Sequence, residues 1–315
     1  MIKNVIFWLN CARVYSLPIT VLNWLVIFVF SLKSGGNALL GVVALFGIGL
    51  VHMATNLLDD YFDYKDEKYM QSAQNCKCAY LKSGEATVKD LKNAIIVFLS
   101  VAALIGCFLF LKSGVYVALL AFIGFVVAVT YQKFSINGLG EISIIIAYGP
   151  LLYEGVYYVM TGKFAWVVCL LSLSCAFITN TILYVHMLMD FDGDFEAGKK
   201  TLCTTLKTKE NALKALGVFY LIGFILLLAF AFVIKDFWLL LTFVIVPEIF
   251  DLYNSMRKFN LDKQSMPKIY PWHYPLDNWK TIENTKDAPF YFRFFFSRNI
   301  VTLFMLLVCF AILIG

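Results

Sequence analysis

Charge is scarce in this chain. Asp, Glu, Lys and Arg make up 15% of its 315 residues, against about a quarter in an ordinary soluble domain, while 61% are hydrophobic and the mean hydropathy is +0.77. That balance excludes a soluble globular domain. Short segments of about ten alternating residues are missing too, and continuous runs such as "LLGVVALFGIGLV" exclude a membrane β-barrel. The eight cysteines form no disulfide framework, since Cys107, Cys169, Cys175 and Cys309 lie inside apolar runs. Cys76 and Cys78 form a CxC, but no further Cys or His stands at ligand spacing, so they read as ordinary loop residues and not as a metal site. No A-x-A-like site follows the first long apolar run, which begins only after Arg13, so no cleavable signal peptide is expected. Nor is there a nucleic-acid-binding motif; the formal charge of +5 is read as membrane topology and attraction to anionic lipid, with no nucleic-acid partner.

What is present is a series of apolar runs long enough to span a bilayer. They fall near Val14–Leu32, Asn37–Leu58, Leu91–Leu111, Val115–Thr130, Ile142–Met160, Phe164–Met189, Ala212–Ile234, Phe237–Met256 and Ile300–Gly315, which predicts an all-α, polytopic membrane protein. Lys and Arg concentrate at the N-terminus and in every second loop, leaving only Lys33, Lys112, Lys163 and Lys235 on the other side. The positive-inside rule then puts the N-terminus and the long loops in the cytoplasm and the C-terminus outside, as in a multi-pass protein of the inner membrane.

Two apolar runs end in acid on that cytoplasmic side. "HMATNLLDDYFDYKDE" carries Asp59, Asp60, Asp63, Asp66 and Glu67, and "VHMLMDFDGDFEAGKKT" carries Asp190, Asp192, Asp194 and Glu196. Each follows a Val-His-Met triplet, which hints at an internal duplication. Asn56, Asp60 and Asp63 share a helix face through their 4 and 3 spacing, and Asp190 and Asp194 are one turn apart. Carboxylates gathered this closely call for a cation, and the hard oxygen set suits Mg²⁺, which commonly binds one or two carboxylates together with substrate phosphates. Lys65, Lys68, Lys82, Lys199 and Lys200 stand nearby to take the remaining phosphate charge. An EF-hand is excluded because Gly193 precedes the third acid and Thr201 stands at position twelve. A CDP-alcohol transferase signature is excluded because "DFEAGKK" follows Asp192-Gly193.

"NLLDDYFDYK", Asn56 to Lys65, resembles the first aspartate motif of the UbiA superfamily of intramembrane prenyltransferases, in the N-x-x-x-D-x-x-D form of the 1,4-dihydroxy-2-naphthoate polyprenyltransferase branch. Asp190-x-x-x-Asp194-x-x-x-Gly198-Lys199-x-Thr201-Leu202 is similar to the second motif. "ARVYSLP", "LKSGEAT" and "TYQKFSINGLGEISIIIAYGPLLYEGVYYVMTG" follow the same pattern, in the expected order over roughly residues 10 to 250. The resemblance implies a single membrane-embedded domain, 1–315, of nine transmembrane helices around a central cavity, with a long cytoplasmic loop at 257–298. It also implies one Mg²⁺ held by Asn56, Asp60 and Asp63 and another by Asp190 and Asp194, with a polyprenyl diphosphate as donor and a small aromatic acceptor. Lys82 and Lys199 would bind the diphosphate, with Arg13 and His186 as further substrate-binding candidates, and Tyr131 would lie near the reacting end of the chain. Asp59 and Asp66 share an alternative stripe with Asp63.

The chain departs from the family where Asn-Asn-x-Arg-Asp is usual: it has His186-Met187-Leu188-Met189-Asp190, and Met189 cannot supply a guanidinium. His52 is expected to satisfy a helix–helix hydrogen bond. "KIYPWHYPLDNW" and "PFYFRFFFSR" are read as an interfacial aromatic belt with Trp272, Trp279, Tyr291 and Phe292 at head-group level, or else as a lid. Glu154, Glu248 and Asp251 are ionisable groups inside spans, which motivates a transporter as the reading from another class. Other acceptors (4-hydroxybenzoate, homogentisate, a glycerol phosphate) and a weakened, isoprenoid-binding relative remain open, as does the oligomeric state.

Overall fold

The computed structural model describes residues 5–65, 78–135 and 137–315. Among them, nine helices are long and apolar enough to cross a membrane: α1 (Val14–Lys33), α2 (Ala38–Lys65), α3 (Val88–Ser113), α4 (Val115–Ser135), α5 (Gly140–Thr161), α6 (Trp166–Met189), α7 (Lys209–Ile234), α8 (Phe237–Leu261) and α9 (Ala288–Ile314). No strand is seen among the described residues beyond a single parallel bridge between Asn137 and Lys200. The protein is an all-α, multi-pass membrane protein. Asp66, Glu67, Lys68, Cys76 and Lys77 lie outside the described residues.

Local chemistry sets the ends of these helices. Thr87 and Asp90 form a reciprocal capping box that starts α3, and Thr208 caps α7. Gly162 ends α5 in the left-handed region at φ 72°. The first turn of α9 contains Pro289, whose missing N–H has no partner to lose there.

The chain divides into two compact units. The first comprises Met1–Lys133 with Leu151–Phe164, and the second Phe134–Pro150 with Ala165–Gly315. In the first, α2 packs most extensively on α3, and α1 packs on the second half of α5. Gly41 lets α2 approach both α1 and α5, since a Cβ there would sit 2.6 Å from Met160 Sδ and 2.7 Å from the Phe28 ring. In the second unit α6 packs on α7, and Gly223 does the same job against Ile178. The first half of α5 also lies on α6, where a Cβ at Gly149 would sit 3.1 Å from the Ala176 Cβ; Gly149 leaves the helical dihedrals at this point, just before Pro150.

The largest departure from the sequence expectation is at the last helix. The long connection runs over 262–287 and not 257–298, because α8 continues to Leu261 and α9 starts at Ala288. Two arginines interrupt the apolar pattern there and make the segment look like a loop. Arg293, however, is fully buried. Its Nε and Nη2 donate to the Ser255 carbonyl at 3.1 and 3.0 Å, Nη1 donates to Pro289 O at 2.7 Å and Nη2 to Ser265 O at 3.0 Å, while the guanidinium lies over the Phe259 ring at 4.7 Å. "PFYFRFFFSR" is therefore a core helix, with Phe292 at 1% exposure, and Trp279 is buried as well. Of the four belt residues only Trp272 and Tyr291 stay substantially exposed.

Candidate active site

The first acidic cluster begins in the short helix Val5–Cys11, which ends as the chain turns through Arg13 in the left-handed conformation (φ 56°, ψ 51°). A 3₁₀ turn, Val14–Ser16, then forms the first turn of α1. Such a backbone for a non-glycine residue needs outside support, and α2 provides it. Asn56 Nδ2 donates to Ala12 O at 2.9 Å and to Ser16 Oγ at 3.3 Å. His52 bridges Ser16 and Thr20, with Nε2 3.1 Å from Ser16 Oγ and Nδ1 2.6 Å from Thr20 Oγ1. Ser16 spends its only hydroxyl hydrogen on Arg13 O at 2.7 Å, so the histidine is the donor at Nε2. One helical turn further on, Arg13 Nη2 donates to Asp60 Oδ1 and Tyr80 OH donates to Asp60 Oδ2 at 3.0 Å. Asp60 is completely buried. Burial beside this carboxylate pushes the Tyr80 phenol far above its ordinary range. Asp63 accepts from Gln132 Nε2, next to Tyr131 on α4, at 2.8 Å. Lys82 is exposed one turn beyond the start of Ala79–Lys82, and Lys65 and Lys92 lie over the Tyr61 ring at 4.7 and 5.4 Å.

The second cluster belongs to the other unit. α6 ends at Asp190, and the short helix Phe191–Glu196 follows at once. His186 Nδ1 is 3.2 Å from Asp190 Oδ2, and both side chains are more than a third exposed. Gly198 adopts φ 66°, which folds the chain back so that Lys199 N donates to Asp194 O at 2.8 Å and Lys199 Nζ reaches Asp194 Oδ1 at 3.2 Å. Burial, then the neighbouring Asp190 charge, raises the Asp194 carboxyl above its usual range despite Lys199. Asp192 goes the other way: burial would raise it, but Lys209 at 2.7 Å and Lys263 at 3.0 Å outweigh that and hold it low. Thr201 caps the next turn, and buried Glu141, at the start of α5, accepts from Leu202 N at 3.2 Å. Burial pushes the Cys203 thiol up to about 12. Met189 is 3% exposed, so the position where the family carries arginine faces the packed interior here.

Among the described residues no three His, Cys, Asp or Glu side chains converge as a complete protein cage would require. Each unit instead offers one or two carboxylates that are not fully buried, Asp63 in the first and Asp190 with Asp194 in the second, and Mg²⁺ commonly binds one or two carboxylates together with a phosphate. The donor set therefore fits that ion.

The UbiA prenyltransferase family pattern matches residues 20–268. The chain belongs to this family. It is 25% identical over 212 residues to 1,4-dihydroxy-2-naphthoate octaprenyltransferase of Haemophilus influenzae, covering 63% of this chain and 68% of that protein. In three dimensions it is similar to a solved structure of digeranylgeranylglyceryl phosphate synthase, with a TM-score of 0.64, 15% identity and 98% of each chain covered. It is also similar to a UbiA homolog from Archaeoglobus fulgidus bound to GPP and Mg²⁺, with a TM-score of 0.58, 16% identity and coverage of 98% of this chain and 99% of the other. The protein is thus a UbiA-type prenyltransferase, an enzyme that transfers prenyl groups.

Of the candidates named from sequence, the first unit brings Arg13, Asn56 and Asp60 together and sets Asp63 and Tyr131 at the same end of α2 and α4. The second brings together His186, Asp190, Asp194 and Lys199. Sequence reasoning gave no role to Tyr80, Gln132 or Ser16, although Ser16 stands in "ARVYSLP" and Gln132 in "TYQKFSINGLGEISIIIAYGPLLYEGVYYVMTG". It also missed buried His273, whose Nε2 lies 2.8 Å from Asp251 Oδ2 while its Nδ1 accepts from Tyr270 N at 3.1 Å. That pair ties the 262–287 connection to α8, which gives the intramembrane Asp251 a structural partner.

Proposed function

We propose that this prenyltransferase uses a polyprenyl diphosphate as donor, Mg²⁺ as cofactor and 1,4-dihydroxy-2-naphthoate as acceptor, in the inner membrane with its N-terminus cytoplasmic. The observation that carries this reading is the gathering of Asp190 and Asp194 with His186 and Lys199 after α6. It is supported by the naphthoate prenyltransferase relative and by the Mg²⁺ named with the Archaeoglobus homolog. In the first unit the carboxylate that would hold Mg²⁺ is Asp63 on α2, the motif also naming Asn56 and Asp60; in the second unit Asp190 and Asp194 after α6 would hold another. When bound, the ion neutralises charge that builds on the departing diphosphate. Lys199, Lys82 and Arg13 serve the same charge with fixed donors, so that ionisation of the C–O bond needs little reorganisation. Tyr131 lines the reacting end of the prenyl chain, where apolar surroundings keep water from the allylic cation until the electron-rich ring attacks.

The test is purified protein with Mg²⁺, mixed polyprenyl diphosphates and a panel of aromatic acids (1,4-dihydroxy-2-naphthoate, 4-hydroxybenzoate, homogentisate), read by mass spectrometry. Prenylated naphthoate is expected. Product with another acid would move the acceptor assignment, and no product from folded protein with any acceptor would overturn the reading.

A further inference from the structure

We propose that Asp60 is a positioning residue and not a metal ligand: it holds Arg13, together with Tyr80, so that the guanidinium addresses the donor diphosphate, and the metal-bearing carboxylates of α2 are Asp59 and Asp63. The inference deepens the proposed function and rests on it for the identity of the donor.

Three observations lead there. Asp60 is fully buried, and both of its oxygens are engaged, Oδ1 by Arg13 Nη2 and Oδ2 by Tyr80 OH. A divalent ion would have to displace a guanidinium from a buried carboxylate whose charge is already compensated. Second, Asp60 completes a stripe, His52–Asn56–Asp60, spaced by four, in which every member grips the segment 12–20: His52 through Ser16 and Thr20, Asn56 through Ala12 O and Ser16. The stripe serves to hold Arg13 in its left-handed backbone. Its bond to Asp60 uses Nη2, so the other N–H groups of the fork remain as phosphate donors. Third, Asp59 and Asp63 are also spaced by four, on the neighbouring stripe. Both are only half-buried, and Asp63 is bound by a neutral amide at 2.8 Å. An amide satisfies a carboxylate without cancelling its charge, which leaves that charge available to a cation.

The test compares Asp60→Asn, Asp63→Asn, Asp59→Asn, Tyr80→Phe, Arg13→Lys and the double variant Arg13→Gln/Asp60→Asn. The double variant is neutral on both sides and so avoids the unpaired buried charge that could prevent Arg13→Gln from folding. Metal affinity is read without turnover, by the EPR signal of free Mn²⁺ titrated into detergent-solubilised protein with inorganic pyrophosphate. Asp63→Asn and Asp59→Asn should weaken Mn²⁺ binding about 10-fold or more, whereas Asp60→Asn and the double variant should stay within about 2-fold of the parent. In steady state, Asp60→Asn and the double variant should raise the KM for polyprenyl diphosphate alike, about 10-fold, with Tyr80→Phe showing a smaller rise. Arg13→Lys should restore thermal stability but not KM, because an ammonium lacks the fork. Loss of Mn²⁺ affinity in Asp60→Asn comparable to that in Asp63→Asn would overturn the proposal. If the parent gives no product with any acceptor, the donor assignment falls, while the Mn²⁺ and pyrophosphate titration still decides the role of Asp60.

Discussion

The two acidic clusters are neutralised in opposite ways. On α2 the central carboxylate, Asp60, is fully buried and matched by an arginine that is itself only 15% exposed. After α6 the carboxylates meet lysines and a histidine that are all more exposed than Arg13: Lys209 at 29%, Lys199 at 36%, His186 at 41%, Lys263 at 52%. A buried pair fixes geometry, since neither partner can leave without stranding the other. An exposed pair is worth little and exchanges readily with an incoming ligand. The difference separates scaffold from ligand-exchange chemistry, and it can be broken experimentally.

The largest effect expected is on stability, in the first cluster. Arg13→Gln leaves Asp60 buried and uncompensated and should cost about 3–5 kcal/mol, read as a drop in the thermal unfolding midpoint in detergent. Lys199→Ala should cost about 1 kcal/mol or less by the same measurement. Equal losses at the two sites would erase the contrast.

Activity should show the reverse pattern. Asp190→Ala and Asp63→Ala should each lower kcat by at least about 10²-fold, with the unfolding midpoint nearly unchanged, because charge stabilisation in the transition state is lost while no packed group is removed. Undiminished turnover in either variant would remove that carboxylate from the site.

A third measurement asks what stabilises the second unit, if its acidic cluster does not. Arg293 satisfies carbonyls of Ser255, Ser265 and Pro289 from a fully buried position. Arg293→Met keeps most of the volume but strands these acceptors, at about 1–3 kcal/mol. The unfolding midpoint should fall more than in Lys199→Ala, and the KM for the donor should not move.

These contrasts also show what a one-dimensional reading can reach. The nine spans follow from apolar runs that must satisfy their own backbone in lipid, and "NLLDDYFDYK" and "DFDGDFEAGKKT" mark where the acids collect. Burial is what the pattern hides. Asp60 and Asp63 look equivalent three residues apart, yet one faces the Arg13 turn and the other Gln132. The two Val-His-Met triplets look alike, yet His52 pins α1 while His186 stands edge-on to Phe290 and Phe294 beside Asp190. Arg293 reads as a loop charge because hydropathy cannot see the backbone carbonyls that accept from it. In each case the deciding partner lies far away in sequence: Tyr80 for Asp60, Ser255 for Arg293.

The smallest effect expected is a pH dependence confined to Asp192. Lys209 and Lys263 outweigh burial and hold its carboxyl below the ordinary range, so the folded state binds the proton less tightly than the unfolded chain does. Its contribution is therefore present above the unfolded carboxylate pKa of about 3.9 and is lost as pH falls through the lower folded value. The side chain is 36% exposed, so solvent screens the pair and the contribution stays below about 1 kcal/mol. Asp192→Asn should then be slightly less stable than the parent at pH 6 to 7, and the two should converge as pH drops below about 4. Added salt at neutral pH should close the same gap, since screening acts on exposed pairs first. It should leave the deficit of Arg13→Gln nearly intact, because the Asp60 carboxylate is out of reach of the ions. A salt response of equal size in both variants would mean that the two clusters are equally open to solvent.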